Sequence, residues 1–433
     1  MTVLDASKII GVSPDTIRRW DKKGLIKTQR SGLNHRLFSL TELRRIHKKI
    51  SGKHIGNKYK ILKSKRKSNY RVIELFAGAG GTALGFHNAG LKHALLTDWD
   101  INATRTLESN FPSFNIVHGD IREIDFKKMK ADVVEGGFPC QAFSYAGKKM
   151  GFEDIRGTMF FEFARCVRDV KPKIAMGENV KGLLTHDNGK TLATIVSVLK
   201  SLGYRVAYKV LRAQYLDVPQ KRERLIILAV REDLKIPIAF PKEKNYTISL
   251  REALANCPSS FGQKYPDYKK KILSLIPPGG YWRDLPLNLQ KEYMQNSFYL
   301  GGGKTGMARR LSWDEPSLTL TCAPAQKQTE RCHPKETRPL TVREYARIQT
   351  FPDNWDFIGS MSAQYKQIGN AVPPNLSYHI GNCIISMLDN NLDQTSMDIV
   401  EVGSEDRFNS IVSGVEYENL LQFNNDLAVK NEI

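Results

Sequence analysis

The sequence predicts an α/β protein: a largely parallel sheet covered on both faces, preceded by a small all-α unit and interrupted by a smaller, irregular region. Three observations carry this. From Tyr70 onward, short apolar runs alternate with amphipathic segments. Between 232 and 335 that rhythm gives way to a stretch rich in Pro, Gly and Lys without a repeat. Residues 1–69 hold 19 Lys and Arg against 4 Asp and Glu, a balance unlike the rest of the chain. At 433 residues there is room for two or three domains and a substantial core.

The opening segment, 1–50, reads as small helices joined by tight turns. Asp5 to Ser13 fits a short helix, a turn at Gly11 and a serine N-cap, and Pro14 takes the first position of a helix running through Arg18, Arg19 and Trp20. A helix, a short turn and an arginine-bearing second helix make a helix-turn-helix, with the second helix placed for the major groove. Gly24-Leu25-Ile26, Asn34-His35-Arg36-Leu37-Phe38 and Thr41-Glu42-Leu43 resemble the wing and following helix of the MerR and excisionase families. Arg18, Arg19 and the wing residue Arg36 are therefore expected at a duplex of their own. Residues 51–69 are lysine-rich and without periodicity, as in a linker.

Strands are expected at 71–76, 93–98, 114–118, 131–137, 173–178, 205–210 and 224–230, and helices near 82–89, 101–110, 157–170 and 189–202. Order returns after 335 with a helix at 341–348 and another after Pro373-Pro374. The expected boundaries are thus 70–231 for the main domain, 232–335 for the irregular one and 336–388 for the return. Residues 389–433 hold 2 basic against 10 acidic residues and are expected to form a mobile tail.

The net charge of +20 sits on the arm and the body, which suggests a polyanion, nucleic acid first. No apolar run reaches the length of a membrane span, and Met1 to Asp5 is not the start of a signal peptide. The six cysteines (140, 166, 257, 322, 332 and 383) lack Cys-x-x-Cys spacing, which argues against a zinc ribbon or disulfide framework and for a reducing cytoplasm. Cys322, Cys332 and His333 lack a fourth ligand at the usual spacing, so no metal is expected.

The motifs that carry chemistry converge on one sheet edge. Ala131 to Gly137 reads as a strand ending in two glycines, so Pro139-Cys140-Gln141 sits on a tight loop at the strand's carboxyl end, where open α/β sheets bind ligands. That is the exposed, polar setting a reactive thiol needs. Phe76-Ala77-Gly78-Ala79-Gly80-Gly81 follows the first strand and opens a helix, and Asp98 or Asp100, about 20 residues on, could hold a ribose. That loop alone would suit a nicotinamide dehydrogenase equally. Gly177-Glu178-Asn179-Val180 adds a carboxylate at the same edge. Gln220-Lys221-Arg222-Glu223-Arg224 supplies alternating cations before an apolar strand, and Gln367 to Pro374 forms a glycine-proline turn before the last helix.

In this order and spacing, over about residues 70–388, the motifs closely resemble the cytosine-C5 DNA methyltransferases. The resemblance implies a Rossmann-like S-adenosylmethionine-dependent methyltransferase fold, with 232–335 as the target-recognition domain. Cytosine C5 is too electron-poor to attack a methyl donor unaided, and a thiolate adding at C6 makes C5 nucleophilic. The resemblance assigns that thiol to Cys140 and the acid at N3 to Glu178. A cation near O2 falls to Arg224, with Arg222 in the same catalytic set and Gln220 supporting the loop. S-adenosylmethionine would lie along Phe76, Gly78, Gly80 and Gly81, with Pro139 and Asn370 also in contact. Asp98, standing where the family more often has a glutamate, would hold the ribose, Trp99 would stack on the adenine, and Asp120 would meet its amino group.

A base inside a duplex cannot reach such a thiol, so the target nucleotide must be flipped out. DNA contacts are expected from Gln141, Gln220, Arg309, Arg310, Gln326, Lys327 and Gln328, since Arg and Gln pair with purine edges and Lys suits phosphates. The partner is double-stranded DNA, met as a monomer, with a cognate restriction endonuclease as a separate protein. Two other readings stand beside this one: a DNA-binding regulator with a secondary methylase body, and an RNA cytosine methylase. The arm, which the chemistry does not need, is expected to bind near the enzyme's own promoter.

Overall fold

The computed structural model of the chain describes residues 2–10, 12–22, 24–30, 36–39, 59–139, 159–301 and 304–413. Cys140, Gln141, Asn34-His35, Thr41-Glu42-Leu43, Gly302-Gly303 and the last twenty residues lie outside them. Two compact units divide the chain, Met1–Lys58 and Tyr59–Ile433.

In the first unit, α1 (Val3–Ile10) and α2 (Pro14–Lys22) close on a small core of Ala6, Ile10, Ile17, Ile26 and Phe38. Ser13 caps α2, its hydroxyl accepting the Thr16 N–H at 3.2 Å. A short antiparallel pair follows, β1 (Gln29–Arg30) with β2 (Arg36–Leu37). Arg19 is exposed, and Arg18 pairs with Asp15 at 2.5 Å on the exposed face of α2. Arg36, expected to face DNA, is instead tied to Asp21 at 2.5 Å, one of the contacts that fastens the hairpin to α2.

The second unit is built on a seven-stranded sheet. Its strands are β3 (Arg71–Leu75), β4 (Lys92–Asp98), β5 (Ile116–His118), β6 (Val133–Gly136), β7 (Ile174–Val180), β8 (Tyr204–Arg212) and, after the two-residue β9 (Gln220–Lys221), β10 (Glu223–Arg231). The order is β5-β4-β3-β6-β7-β10-β8, parallel except for β10, which runs antiparallel to both neighbours. The helices α3 (Gly81–Ala89), α4 (Ile101–Asn110), α5 (Met159–Val170) and α6 (Lys190–Ser201) fall where the amphipathic periods place them.

Strand alternation sorts the core into two faces. Val72, Val133, Ile174, Ile226 and Leu228 pack with α3 and with α12 (Pro374–Leu388). Ile73, Val134, Ala175, Leu225 and Ile227 pack with α5 and α6. A third cluster gathers α7 (Leu250–Leu254), α10 (Val342–Ile348) and α11 (Met361–Asn370) around Phe351 and Trp355. The expected glycine-proline turn at 367–374 therefore divides: Gln367 to Asn370 end α11, and Pro374 begins α12.

Three expected boundaries shift. The linker's second half belongs to the catalytic unit: the Tyr59 hydroxyl donates to the Arg347 carbonyl at 2.9 Å, and the Leu62 N–H donates to Asn375 Oδ1 at 2.9 Å. The region 232–335 is not one irregular body. Its start, β11 (Ile238–Pro241), pairs with β13 (Met397–Val400), and α7 joins the third cluster. A separate core of Tyr265, Ile272, Leu273, Trp282, Tyr293, Met294 and Cys332, with α8 (Asp267–Ser274) and α9 (Leu287–Met294), forms the smaller lobe.

The described part of the acidic tail, to Ser413, packs on the sheet, against the expectation of a mobile segment. Its charge is the reason, because Lys200, Arg205 and Lys209 along α6 and β8 find Asp406, Glu405 and Asp398 at 2.5 to 2.7 Å. In α13 (Glu405–Ser413), Asn409 then completes the edge of β8: its amide donates to the Val206 carbonyl at 2.9 Å and accepts the Tyr208 N–H at 3.0 Å.

Asp217 joins these pieces. Its buried carboxylate accepts from His379 at 2.8 Å, from the Tyr246 hydroxyl at 2.5 Å and from Lys244. Burial pushes the group up, but these three donors outweigh it and hold it far below the usual carboxylate range. A carboxylate depressed in the folded state contributes stability that is present above its unfolded value and lost as pH falls through the acid range. Asp217→Asn is therefore expected to cost about 3 kcal/mol at pH 7 and about 1 kcal/mol less near pH 3, where the folded carboxylate is still ionised, read by urea unfolding at both pH values.

Candidate active site

The carboxyl ends of β3, β4, β6 and β7 open onto one cleft of about 940 Å³. Phe76, Gly78, Gly81, Asp98, Trp99, Asp120, Pro139, Glu178, Arg224 and Asn370 all line it, which brings together most of the expected site. The glycine loop shapes its floor. Gly78 takes φ +54° with nothing within 4 Å of where a Cβ would lie, so the backbone stays open to a ligand. At Gly81 a Cβ would stand 2.1 Å from the Val372 carbonyl oxygen, so this position cannot carry a side chain without moving backbone. Gly80, expected at the cofactor, does not line the cleft; a Cβ there would meet Leu107 at 2.7 Å and Trp355 at 3.3 Å, and its role is packing.

Asp98 ends β4 with its carboxylate fixed by two backbone donors, Gly78 N–H and Asp100 N–H, each at 2.8 Å. Burial pushes this carboxyl up against those hydrogen bonds. Trp99 is 78% exposed and so is no core residue; it offers a free aromatic face at the rim. Asp120 caps a short turn and accepts the Arg122 guanidinium at 3.0 Å, which holds its carboxyl down to about 2. A fixed carboxylate, an exposed indole and an open glycine loop suit a ligand with a ribose, an adenine and a cationic amino-acid end.

On β7, Glu178 Oε1 meets Arg224 Nε of the neighbouring β10 at 2.7 Å, both side chains nearly buried. The next residue, Asn179, donates from Nδ2 to the Phe138 carbonyl at 2.9 Å. It thereby ties the end of the strand to the segment that carries Phe138 and Pro139. Reading motifs alone missed this anchor, and only the chain order Glu-Asn hinted at it.

Two expected site residues turn inward. Arg222 is 1% exposed and donates to the carbonyls of Leu320 at 3.3 Å, Gly369 at 3.1 Å and Asn370 at 3.5 Å. It therefore pins the segment at Leu320 and the turn at Gly369-Asn370 to the sheet and does not line the cleft. Gln220 is fully buried; its amide donates to Gln349 Oε1 at 2.7 Å and accepts the Leu320 N–H at 2.9 Å, so it supports this junction and touches no DNA. Gly369 has its own reason, since a Cβ there would lie 2.4 Å from the Thr321 carbonyl. Cys322 donates from Sγ to Asn370 Oδ1 at 2.9 Å, across the same junction.

In the smaller lobe, Arg310 also faces inward, donating to the carbonyls of Leu273 at 2.7 Å and His333 at 3.0 Å, which withdraws it from DNA. Arg309 is half-buried over the Tyr281 ring at 5.7 Å. Gln326, Lys327 and Gln328 are exposed, Lys327 standing 5.3 Å over the Tyr293 ring. These four remain available to a partner.

Residues 70–386 match the family model described as C-5 cytosine-specific DNA methylase. The chain belongs to the C-5 cytosine-specific DNA methylases. A second match, over 2–38, is to the MerR family regulatory proteins. This methylase is 56% identical over 404 residues to the Type II methyltransferase M.Eco47II of Escherichia coli, covering 89% of the chain and 95% of that relative. It is 48% identical over 333 residues to the Type II methyltransferase M.Sau96I of Staphylococcus aureus, covering 75% and 77%. In fold it is similar to the Entamoeba histolytica methyltransferase EhMeth, with TM-score 0.54 at 18% identity, covering 74% and 99%. The methylase acts on DNA and takes its methyl group from S-adenosylmethionine, for which the cleft's residues fit. Among the described residues no helix is long and apolar enough to cross a membrane.

Proposed function

We propose that this methylase is the modification enzyme of a restriction–modification pair, acting as a monomer on one short duplex sequence through a covalent adduct on Cys140. The observation that supports the route is the Glu178–Arg224 pair, held at 2.7 Å in the cleft wall beside the loop that leads into Cys140. The Cys140 thiolate forms a bond to C6 of a flipped cytosine. Glu178, steadied by Arg224, hydrogen-bonds N3 and gives it a proton as charge builds on the ring, while Arg224 faces O2. S-adenosylmethionine supplies an electrophilic methyl on a sulfonium, which C5 takes. Loss of the C5 proton to water, return of the N3 proton to Glu178 and cleavage of the S–C6 bond then restore aromaticity and free the thiolate. Asp98, Trp99 and Asp120 would hold ribose and adenine.

Bisulfite sequencing of DNA from a host expressing the gene should show C5 methylation at every copy of one short sequence. Marks scattered without sequence preference, or found only in RNA, would overturn this reading.

A second role is supported by the MerR match and the exposed Arg19 of α2. The helix-turn-helix unit binds a separate duplex site upstream of the enzyme's own gene, its phosphate contacts giving affinity and its second helix reading bases. Because Tyr59 and Leu62 pack on the catalytic unit, the fragment to compare is 59–433. Footprinting should show protection upstream by the full chain alone; identical footprints, or none, defeat the regulatory role.

A further inference from the structure

We propose that Glu135 is a donor-discriminating residue of this methylase: its carboxyl, in the floor of the cleft, favours the positively charged S-adenosylmethionine over the product S-adenosylhomocysteine, whose sulfur is neutral. Three glutamates lie on one face of the sheet. Glu74 of β3 is the register partner of Glu135 of β6, and Glu178 lies on the neighbouring β7, one step beyond the Gly136–Gly177 pairing. The alternation that turns Val72, Val133 and Ile174 to the α3/α12 side turns these three the same way. All three line the cleft.

Only Glu135 lacks a counter-group. Glu74 meets His93 at 3.2 Å, and Glu178 meets Arg224 at 2.7 Å. Glu135 is 2% exposed and has no hydrogen-bond or ion partner among the described residues, so the open side of its carboxyl is the cleft itself. Burial, then the charges of Glu74 and Glu178, push it well above the ordinary carboxylate range. The other charged groups of the lining have partners of their own, Asp98 in the Gly78 and Asp100 N–H groups, Asp120 in Arg122 and Asp100 in Lys366, and Thr82 and Gln367 from the packed helices are uncharged.

A protonated carboxyl in so closed a place ionises readily only when a cation arrives beside it. Donor and product share their nucleoside and amino-acid parts and differ by the methyl group and the charge on sulfur. Donor binding should therefore release the Glu135 proton and strengthen as pH rises, and product binding should not. Methyl transfer removes the cation, so the carboxyl takes a proton back and the product is held more loosely. This inference rests on the cleft being the donor site.

The test is calorimetric binding of S-adenosylmethionine and S-adenosylhomocysteine to the full chain between about pH 6 and pH 9, with wild type and Glu135→Gln. In the wild type the ratio of product Kd to donor Kd should rise about tenfold across that range. In Glu135→Gln the donor should bind about tenfold more weakly at the upper pH, the product within about twofold, and the ratio should be flat. The wild-type ratio needs no variant, so a misfolded mutant leaves the test standing. A wild-type ratio independent of pH, a wild-type profile kept by Glu135→Gln, or equal weakening of both ligands would overturn the proposal. Failure of both ligands to bind wild type would overturn the donor-site assignment and this inference with it.

Discussion

Cys140→Ala is expected to lower methyl transfer by about 10⁴-fold or more while leaving S-adenosylmethionine affinity within about twofold, because the nucleophile is lost and the donor's cradle is not. The cradle is made chiefly by β3, β4, their following loops and the turn after α11, to which the described part of the Cys140 loop adds only Gly137, Phe138 and Pro139. Duplex DNA with 5-fluorocytosine at the target should trap the wild type covalently, since a fluorine at C5 cannot leave as a proton does. Peptide mapping should then place the adduct on Cys140. Substantial turnover by Cys140→Ala, or a trapped adduct on another residue, would show that the addition–elimination route uses a different nucleophile.

Glu178→Gln should slow transfer by about 10²- to 10³-fold with little change in DNA affinity, because its hydrogen bond strengthens only as negative charge develops on the ring. The amide keeps the size of the side chain and can still accept from Arg224 Nε, which lies 2.7 Å from the present carboxylate. Single-turnover kinetics beside filter binding would separate the two effects. A variant that loses affinity and keeps its single-turnover rate would make Glu178 a structural partner of Arg224. The trap should discriminate further: if Glu178 assists addition at C6, the variant should also form the 5-fluorocytosine adduct slowly.

The alternation of short apolar runs with amphipathic segments located every strand of the main sheet to within a few residues, because buried strands and one-sided helices leave distinct periods. The cleft was legible for the same reason, its residues sitting just after strand ends. Where the reading failed, backbone geometry was the cause. Gln220, Arg222 and Arg224 alternate as though on one strand face, yet β9 ends at Lys221 to pair with β12 (Ser317–Leu318), and only Arg224 follows β10 to the cleft. In the smaller lobe, irregular backbone leaves carbonyls without ladder partners. Arg310 and Arg331 turn inward to satisfy them, Arg331 donating to the Thr319 carbonyl at 2.6 Å. Composition marks such arginines as DNA contacts and cannot tell that a carbonyl claims them first. The tail failed on charge pairing across distance, since its acids look unpartnered until β8 lies beside them.

The seating of Asn409 of α13 against the edge of β8 has a practical consequence. A strand at the end of a sheet is an invitation to any other extended chain, and this one is turned away by a single carboxamide that occupies a donor and an acceptor in the middle of the strand. The helix α13 thus works as a stopper, and its loss would leave a sticky margin along β8. Anyone shortening this protein for crystallisation, or fusing a partner to it, should keep Glu405–Ser413 intact.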